Sequence, residues 1–119
     1  MALDIQDNEV IRIMGEIETK NAIIERTFLG FEDHGIFTAF ITLNYGGGGQ
    51  TFGGYSIGSE FIEQVLKTLD LESWEELKGQ KVRVKAEHGK VHAIGHFLND
   101  KWFNPAEFYE QRKKEKGIK

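Results

Sequence analysis

Cysteine is absent from the 119 residues, which excludes disulfide staples, thiolate nucleophiles and cysteine metal ligands. That absence fits a reducing compartment, so a cytoplasmic location is expected. Proline occurs once, at Pro105. No apolar run approaches the roughly 20 residues of a membrane-crossing helix. Met1–Val10 holds Asp4, Asp7 and Glu9 and has no apolar stretch, so it does not read as a secretory leader. An excess of basic charge is also lacking. The net charge of −4 argues against coating duplex nucleic acid but leaves room for a local basic patch. Signatures of catalysis are missing too. Ser56 and Ser59 stand in no nucleophile elbow. The glycine run does not end in the Gly-Lys-Ser/Thr of a phosphate loop and is not framed as a Rossmann turn. Neither an enzyme nor a cofactor is expected.

What the chain does have is glycine in one place. Tyr45–Tyr55 reads YGGGGQTFGGY, with six glycines between two tyrosines. A tight hairpin needs only one or two. The extra glycines either turn the backbone between strands or bare its N–H groups to a ligand, most naturally an anion.

The length suits one domain spanning residues 1–119. A single domain of this size is marginal alone, which makes a homo-oligomer the expected state. Alternation of apolar residues predicts strands over Val10–Glu18, Asn21–Phe31 and Ile36–Tyr45. Thr19–Lys20–Asn21 reads as a hairpin turn between the first two, and Glu32–Gly35 as a turn before the third. Gln50–Ile57 reads as a short strand or an ordered loop. Ser59 suits the N-cap of a helix to Leu69, with Phe61, Ile62, Val65, Leu66 and Leu69 on one stripe. Ser73–Glu76 has the form of a capping box, and Gly79 ends its turn. Lys81–His88 and Val91–Leu98 form a hairpin about Gly89-Lys90. That register puts Val82, Val84, Ala86, His88, Val91, Ala93, Gly95 and Phe97 inside. Arg83, Lys85, Glu87, His92, Ile94 and His96 fall outside. Asn104-Pro105-Ala106-Glu107 opens a C-terminal helix, and the tail beyond Arg112 reads as frayed. The fold class is α+β: an antiparallel sheet of five or six strands with two main helices, one mid-chain and one C-terminal.

Three groups of residues have chemistry to offer. His92 and His96 are four apart on a strand, about 13 Å at 3.3 Å per residue, too far to share a zinc ion. Converging with His34 or His88 they would suit a metal-dependent hydrolase, the weakest of the readings. Glu32 and Asp33 beside His34 suit acid–base work, though a solvated turn accounts for them better. Lys78, Lys81, Arg83, Lys85 and Lys90 form a basic face able to clamp phosphate, or merely to stay solvated. Tyr45, Phe52, Tyr55, Trp102 and Phe103 are candidates for stacking on a base, with Asn99, Asp100 and Asn104 near them. Trp102 and Phe103, in the polar stretch NDKWFNP, read as the least core-like aromatics.

The blocks EDHGIFT (Glu32–Thr38), YGGGGQTFGGY, SWEELKGQKVRV (Ser73–Val84) and EHGKVHAIGHFLNDKWFNP (Glu87–Pro105) resemble a group of small phage and prophage proteins. Among small phage proteins are the Thoeris anti-defence sponges, oligomers on a sheet core with C-terminal helices. The resemblance implies a non-catalytic protein that sequesters a small phosphorylated nucleotide, cyclic ADP-ribose-like or a cyclic oligonucleotide, in the host cytoplasm. Arg26 and Arg112 would then be phosphate partners. The full expected ligand set is Arg26, Tyr45, Gly47, Gly48, Phe52, Tyr55, Arg83, His96, Asn99, Trp102 and Arg112, with no metal and no membrane. A different reading starts from LKGQKVRVKAE (Leu77–Glu87), which resembles strands of small oligonucleotide-binding barrels. It implies a phage module that grips single-stranded nucleic acid or a protein.

Overall fold

A computed structural model describes residues 17–46, 49–54, 59–87 and 89–115. The chain runs β1 (Glu18–Phe31), β2 (Phe37–Asn44), β3 (Gly49–Gly54), α1 (Ser59–Leu69), a 3-10 turn (Trp74–Glu76), β4 (Lys81–Glu87), β5 (Lys90–His96), β6 (Trp102–Phe103) and α2 (Pro105–Glu115). The strands make one antiparallel sheet in the order β3-β2-β1-β4-β5-β6. The α+β class and both helices agree with the sequence. Gly49–Gly54 is a strand rather than a loop. Among the described residues no helix is long and apolar enough to cross a membrane.

β1 organises the sheet by changing partners midway. Glu18–Ile23 pairs with β4, and Ile23–Phe31 pairs with β2. The bend between the halves sits at Glu25. Ile24 faces Leu43 and Arg26 faces Thr42, so Glu25 is the extra residue of a bulge. Asn44 holds it, donating from Nδ2 to Glu25 Oε1 at 2.5 Å. The expected hairpin turn at Thr19–Lys20–Asn21 does not form. Those residues pair with Lys85, Val84 and Arg83, so the backbone runs through them as strand. The strand expected over Val10–Glu18 lies outside the described residues except for Ile17 and Glu18.

The bent sheet coils until β3 approaches β5. One core fills the interior, with Ile24, Ile41, Leu43, Val82, Val84 and Ile94 on the strands and Phe61, Val65 and Leu69 on α1. Ile62 and Leu66 pack at its margin. Phe61 is the hub: its ring lies 5.7 Å from that of Phe52 and 5.8 Å from that of Phe103. Gly53 follows from this packing. It has φ of 109°, and a Cβ there would sit 2.6 Å from the Ala39 carbonyl oxygen and 3.0 Å from the Phe61 ring. At least one glycine of the run therefore serves the packing of the core.

The β4–β5 hairpin turns one residue earlier than its sequence suggests. Glu87 pairs with Lys90 and Ala86 with Val91, then Lys85 pairs with Ala93. His92 is thus a second bulge, and it inverts the rest of β5. Ile94, paired with Val84, and His96, paired with Val82, lie on the core face. Ala93 and Gly95 join Arg83 and Lys85 on the outer face. Phe97, expected inside, is exposed, and His88 lies outside the described residues. α2 continues through Glu115, beyond the fraying point expected after Arg112.

The capping box forms. The Glu76 carboxylate accepts the Ser73 N–H at 2.7 Å and the Glu72 N–H at 3.0 Å. The Ser73 N–H above all, then the Glu72 N–H, hold its pKa below the ordinary 4.5. A depressed carboxylate contributes stability that is present above pH 4.5 and lost as pH falls through the folded-state value. Glu76→Gln is therefore expected to make the fall of Tm between about pH 5 and pH 3 shallower. It should cost more at pH 7 than at pH 3, as read by thermal unfolding across that range.

Candidate functional site: an aromatic and basic groove

The outer face of β4–β5–β6 is built around Trp102. β6 pairs Trp102 with Gly95, and the indole lies against that glycine. A Cβ on Gly95 would meet Cε3 of the ring at 2.6 Å and Cδ2 at 2.7 Å. Glycine at the neighbouring strand position is what lets a flat aromatic settle on the sheet. Two cations from β4 flank the ring: Arg83 Cζ is 4.9 Å and Lys85 Nζ 4.4 Å from its centroid, both within cation–π range.

The two cations are held differently. Arg83 Nε donates to the His96 carbonyl at 2.9 Å and Nη2 to the Asn99 carbonyl at 2.8 Å, so its guanidinium is fixed. Lys85 has no hydrogen bond or ion pair among the described residues. Its ammonium is free to leave the ring for a phosphate. The turn below is rigid. His96 Nδ1 accepts the N–H groups of Leu98 (3.1 Å) and Asn99 (3.0 Å), which leaves Nε2 to carry the proton toward Asp70 Oδ2 at 3.3 Å. Lys101 also binds Asp70, and that contact is the main reason the Asp70 carboxyl titrates below its ordinary range. Asp70 closes α1 with φ of 58°, a conformation that costs a non-glycine residue energy. Its ties to Lys101 and His96 offset that cost.

Beside Trp102 runs a groove of about 450 Å³ lined by Thr19, Lys85, His92, Ala93, Asn104 and Glu107, with Ile17 at its end. At His92, Asn104 and Glu107 it meets a second groove of about 440 Å³ along the seam between β3 and β5. Thr51, Gly53, Gly89 and Lys90 line that part. His92 is locked at the junction by Glu87 Oε1, 2.7 Å from Nε2. Asn104 Oδ1 accepts the Glu107 N–H at 3.1 Å and so starts α2 at the groove wall. The whole is an open trough with an aromatic floor at one end and lysines along it. It does not form an enclosed chamber.

Of the residues expected from sequence to share a ligand, Arg83, His96, Asn99 and Trp102 do come together. His96 and Asn99 act as supports for Arg83 and the turn. Phe52, Arg112, Arg26 and Tyr45 do not join them. Phe52 is 3% exposed and belongs to the core, as does Phe103, which had read as the less buried type of aromatic. Burial against Phe61 takes both rings out of reach of a ligand. Arg112 pairs with Glu60 at 2.6 Å, joining α2 to α1, and is no free phosphate partner. Arg26 stands on the far limb of β1, opposite Thr42. Tyr45 packs on the core margin beside a separate groove of about 430 Å³ that includes Asn21, Asn44, Gly46 and Lys81. Gly47, Gly48 and Tyr55 lie outside the described residues. Gly95 and Thr19 were not singled out as site residues, and Lys90 was named only as part of the basic face. The signal for Gly95 was present, since glycine opposite an aromatic across strands marks a stacked ring, but the register expected without the bulge turned Gly95 to the core face.

Among the described residues no three His, Asp or Glu side chains gather as metal ligands. No protein-family model, curated protein or solved structure matches the chain.

Proposed function

We propose that the chain is a binding module for single-stranded nucleic acid, held in the trough from Trp102 to the β3–β5 seam. The observation that carries this reading is Trp102, laid flat on Gly95 and flanked by one fixed cation and one free one. A base stacks on the indole, Lys85 moves to the adjoining phosphate, and Lys90 meets the backbone further along. Stacking platforms joined to a basic track are how proteins hold single strands without reading sequence. The connectivity supports the same reading. Three meandering strands, a helix, and a hairpin returning to the other side of β1 give the order of an oligonucleotide-binding barrel, open between its third and fifth strands. Fold alone does not assign function, so the weight rests on the groove. The net charge of −4 makes the basic track local to β4 and β5.

A phosphorylated nucleotide has the same base and phosphate chemistry, and it was the ligand implied by the phage-protein resemblance. Small ligands are usually enclosed over most of their surface. The open trough and the dispersal of Arg26, Phe52 and Arg112 favour a strand that passes across. Titrating a 12-nucleotide oligo(dT) and, separately, dTMP at several salt concentrations tests this. Oligonucleotide binding is expected, with log K falling linearly in log salt. Lys85→Ala and Lys90→Ala should each lower the slope by about 0.7. Binding of dTMP as tight as that of the oligonucleotide, or no binding of either, overturns the proposal.

A further inference from the structure

Beyond Ile24 the second limb of β1 has a neighbour on one side only. β2 covers one edge, and among the described residues nothing pairs with the other. The last groups to reach across there are Gln80 and Gly79, which exchange hydrogen bonds with Ile24 at 3.0 and 2.7 Å. After the bulge, the antiparallel alternation turns the N–H and C=O of Thr27, Leu29 and Phe31 toward this open edge. The segment Thr27-Phe28-Leu29-Gly30-Phe31 has no charge and no proline, the two usual devices that keep an edge strand from pairing. Its side chains are left uncovered as well. Leu29 is 42%, Phe31 71% and Phe37 48% exposed, and the two phenylalanines meet edge to face with centroids 5.3 Å apart.

We infer that this edge pairs with the same edge of a second copy, antiparallel about a two-fold axis through Leu29. An antiparallel edge is its own complement, so a two-fold closes the assembly without leaving a further free edge. The charges choose the register. With Leu29 opposite Leu29 of the second copy, Thr27 faces Phe31 and Arg26 faces Glu32, once at each end. Arg26 shares the outer face with Phe28 and Gly30. Glu32 follows the strand with its carboxylate held in the turn, accepting the His34 and Ile36 N–H groups at 2.5 and 3.2 Å, so Arg26 of the second copy meets a fixed negative charge there. The neighbouring registers that keep these N–H and C=O groups facing one another are two residues away, and they lose both pairs, setting Arg26 against Gly30 or against His34. The aligned register makes about six new backbone hydrogen bonds. It also covers up to roughly 140 Å² of Phe31 per copy, taking about 200 Å² for an aromatic side chain that is 71% exposed. That is small beside the roughly 1,600 Å² of a standard interface, so association in the micromolar range is expected. The trough around Trp102 lies on the other limb of the sheet and remains open in the dimer.

Sedimentation equilibrium from about 1 to 500 μM, with amide hydrogen exchange at both ends of that range, tests the inference. A monomer–dimer equilibrium is expected, with the amides of Thr27, Leu29 and Phe31 protected at high concentration and released on dilution. Leu29→Lys should weaken association at least tenfold while far-UV circular dichroism is unchanged, since the side chain is half exposed. Arg26→Glu, which sets like charges against Glu32 of the second copy, should weaken it, whereas Arg26→Lys should not. Leu98→Lys, at the 81% exposed Leu98 away from the edge, should change nothing. A monomer at 500 μM overturns the inference. So does a dimer in which those three amides exchange at a rate independent of concentration.

Discussion

Phe61→Ala is expected to destabilise the protein by about 3–5 kcal/mol, the range for emptying a buried aromatic site. The side chain is fully buried and stands where α1 meets β3 and β6. Its ring touches Phe52 and Phe103, and Phe103 in turn meets Phe108 of α2 at 5.7 Å. Removing Phe61 takes away the ring that packs on both Phe52 and Phe103, leaving between those two their own edge-to-face contact at 6.3 Å. The site cannot collapse easily, because Phe52 is fixed on β3 and Phe103 on β6, each held by strand pairing. The loss is a large part of the roughly 5–15 kcal/mol that holds such a domain folded. Chemical denaturation should show a lower midpoint with an unchanged slope, and Tm should fall by roughly 10–20 °C. Phe61→Leu, which keeps most of the volume, should lose less than half as much. A loss under about 1 kcal/mol for Phe61→Ala would show that α1 is not the keystone of this core.

The same aromatic cluster shows where the sequence is legible. The α1 stripe, the alternation of β2 and the capping box at Ser73–Glu76 are local patterns set by one element's own period, and each stands as read. β1 is different. It changes partner at Glu25, and no residue there announces a bend, since a bulge is fixed by what lies opposite. Alternation fades across Thr19–Asn21 because all three residues are exposed although they pair with β4, and that fading imitates a turn. On β5 the extra residue His92 reverses the inside and outside of everything after it. Ile94 and His96 thus move to the core face and Gly95 to the site. Long-range pairing misleads in the same way for single residues. Phe52 and Phe103 sit in polar, glycine-rich surroundings along the chain but meet Phe61 in space. Arg112 looks available until Glu60 of α1 is placed beside it. The basic stripe Arg83–Lys85 and the exceptional Trp102 were visible. Their union needed the strand order.

Trp102→Ala is expected to weaken oligonucleotide binding by about 1–3 kcal/mol, the worth of one base stacked on an aromatic, or roughly 5- to 150-fold in Kd. The indole is half buried, so part of any effect would come from packing, and two controls separate the contributions. Trp102→Phe keeps an aromatic face on Gly95 and should retain much of the affinity. Gly95→Ala leaves the tryptophan in the chain but forces its ring off the sheet, because the new methyl would stand 2.6 Å from Cε3. Its effect on affinity should follow that of Trp102→Ala even though no group facing the strand has been removed. Fluorescence supplies an independent signal. Of the two tryptophans, Trp74 is buried under the core, so quenching by a bound strand should come from Trp102 and vanish in Trp102→Ala. If Trp102→Ala keeps wild-type affinity while remaining folded, the ring serves only to cover Gly95, and the trough loses its stacking floor. If affinity falls for Trp102→Ala but not for Gly95→Ala, the indole binds without needing its seat on the sheet. The glycine at position 95 would then be there for packing alone.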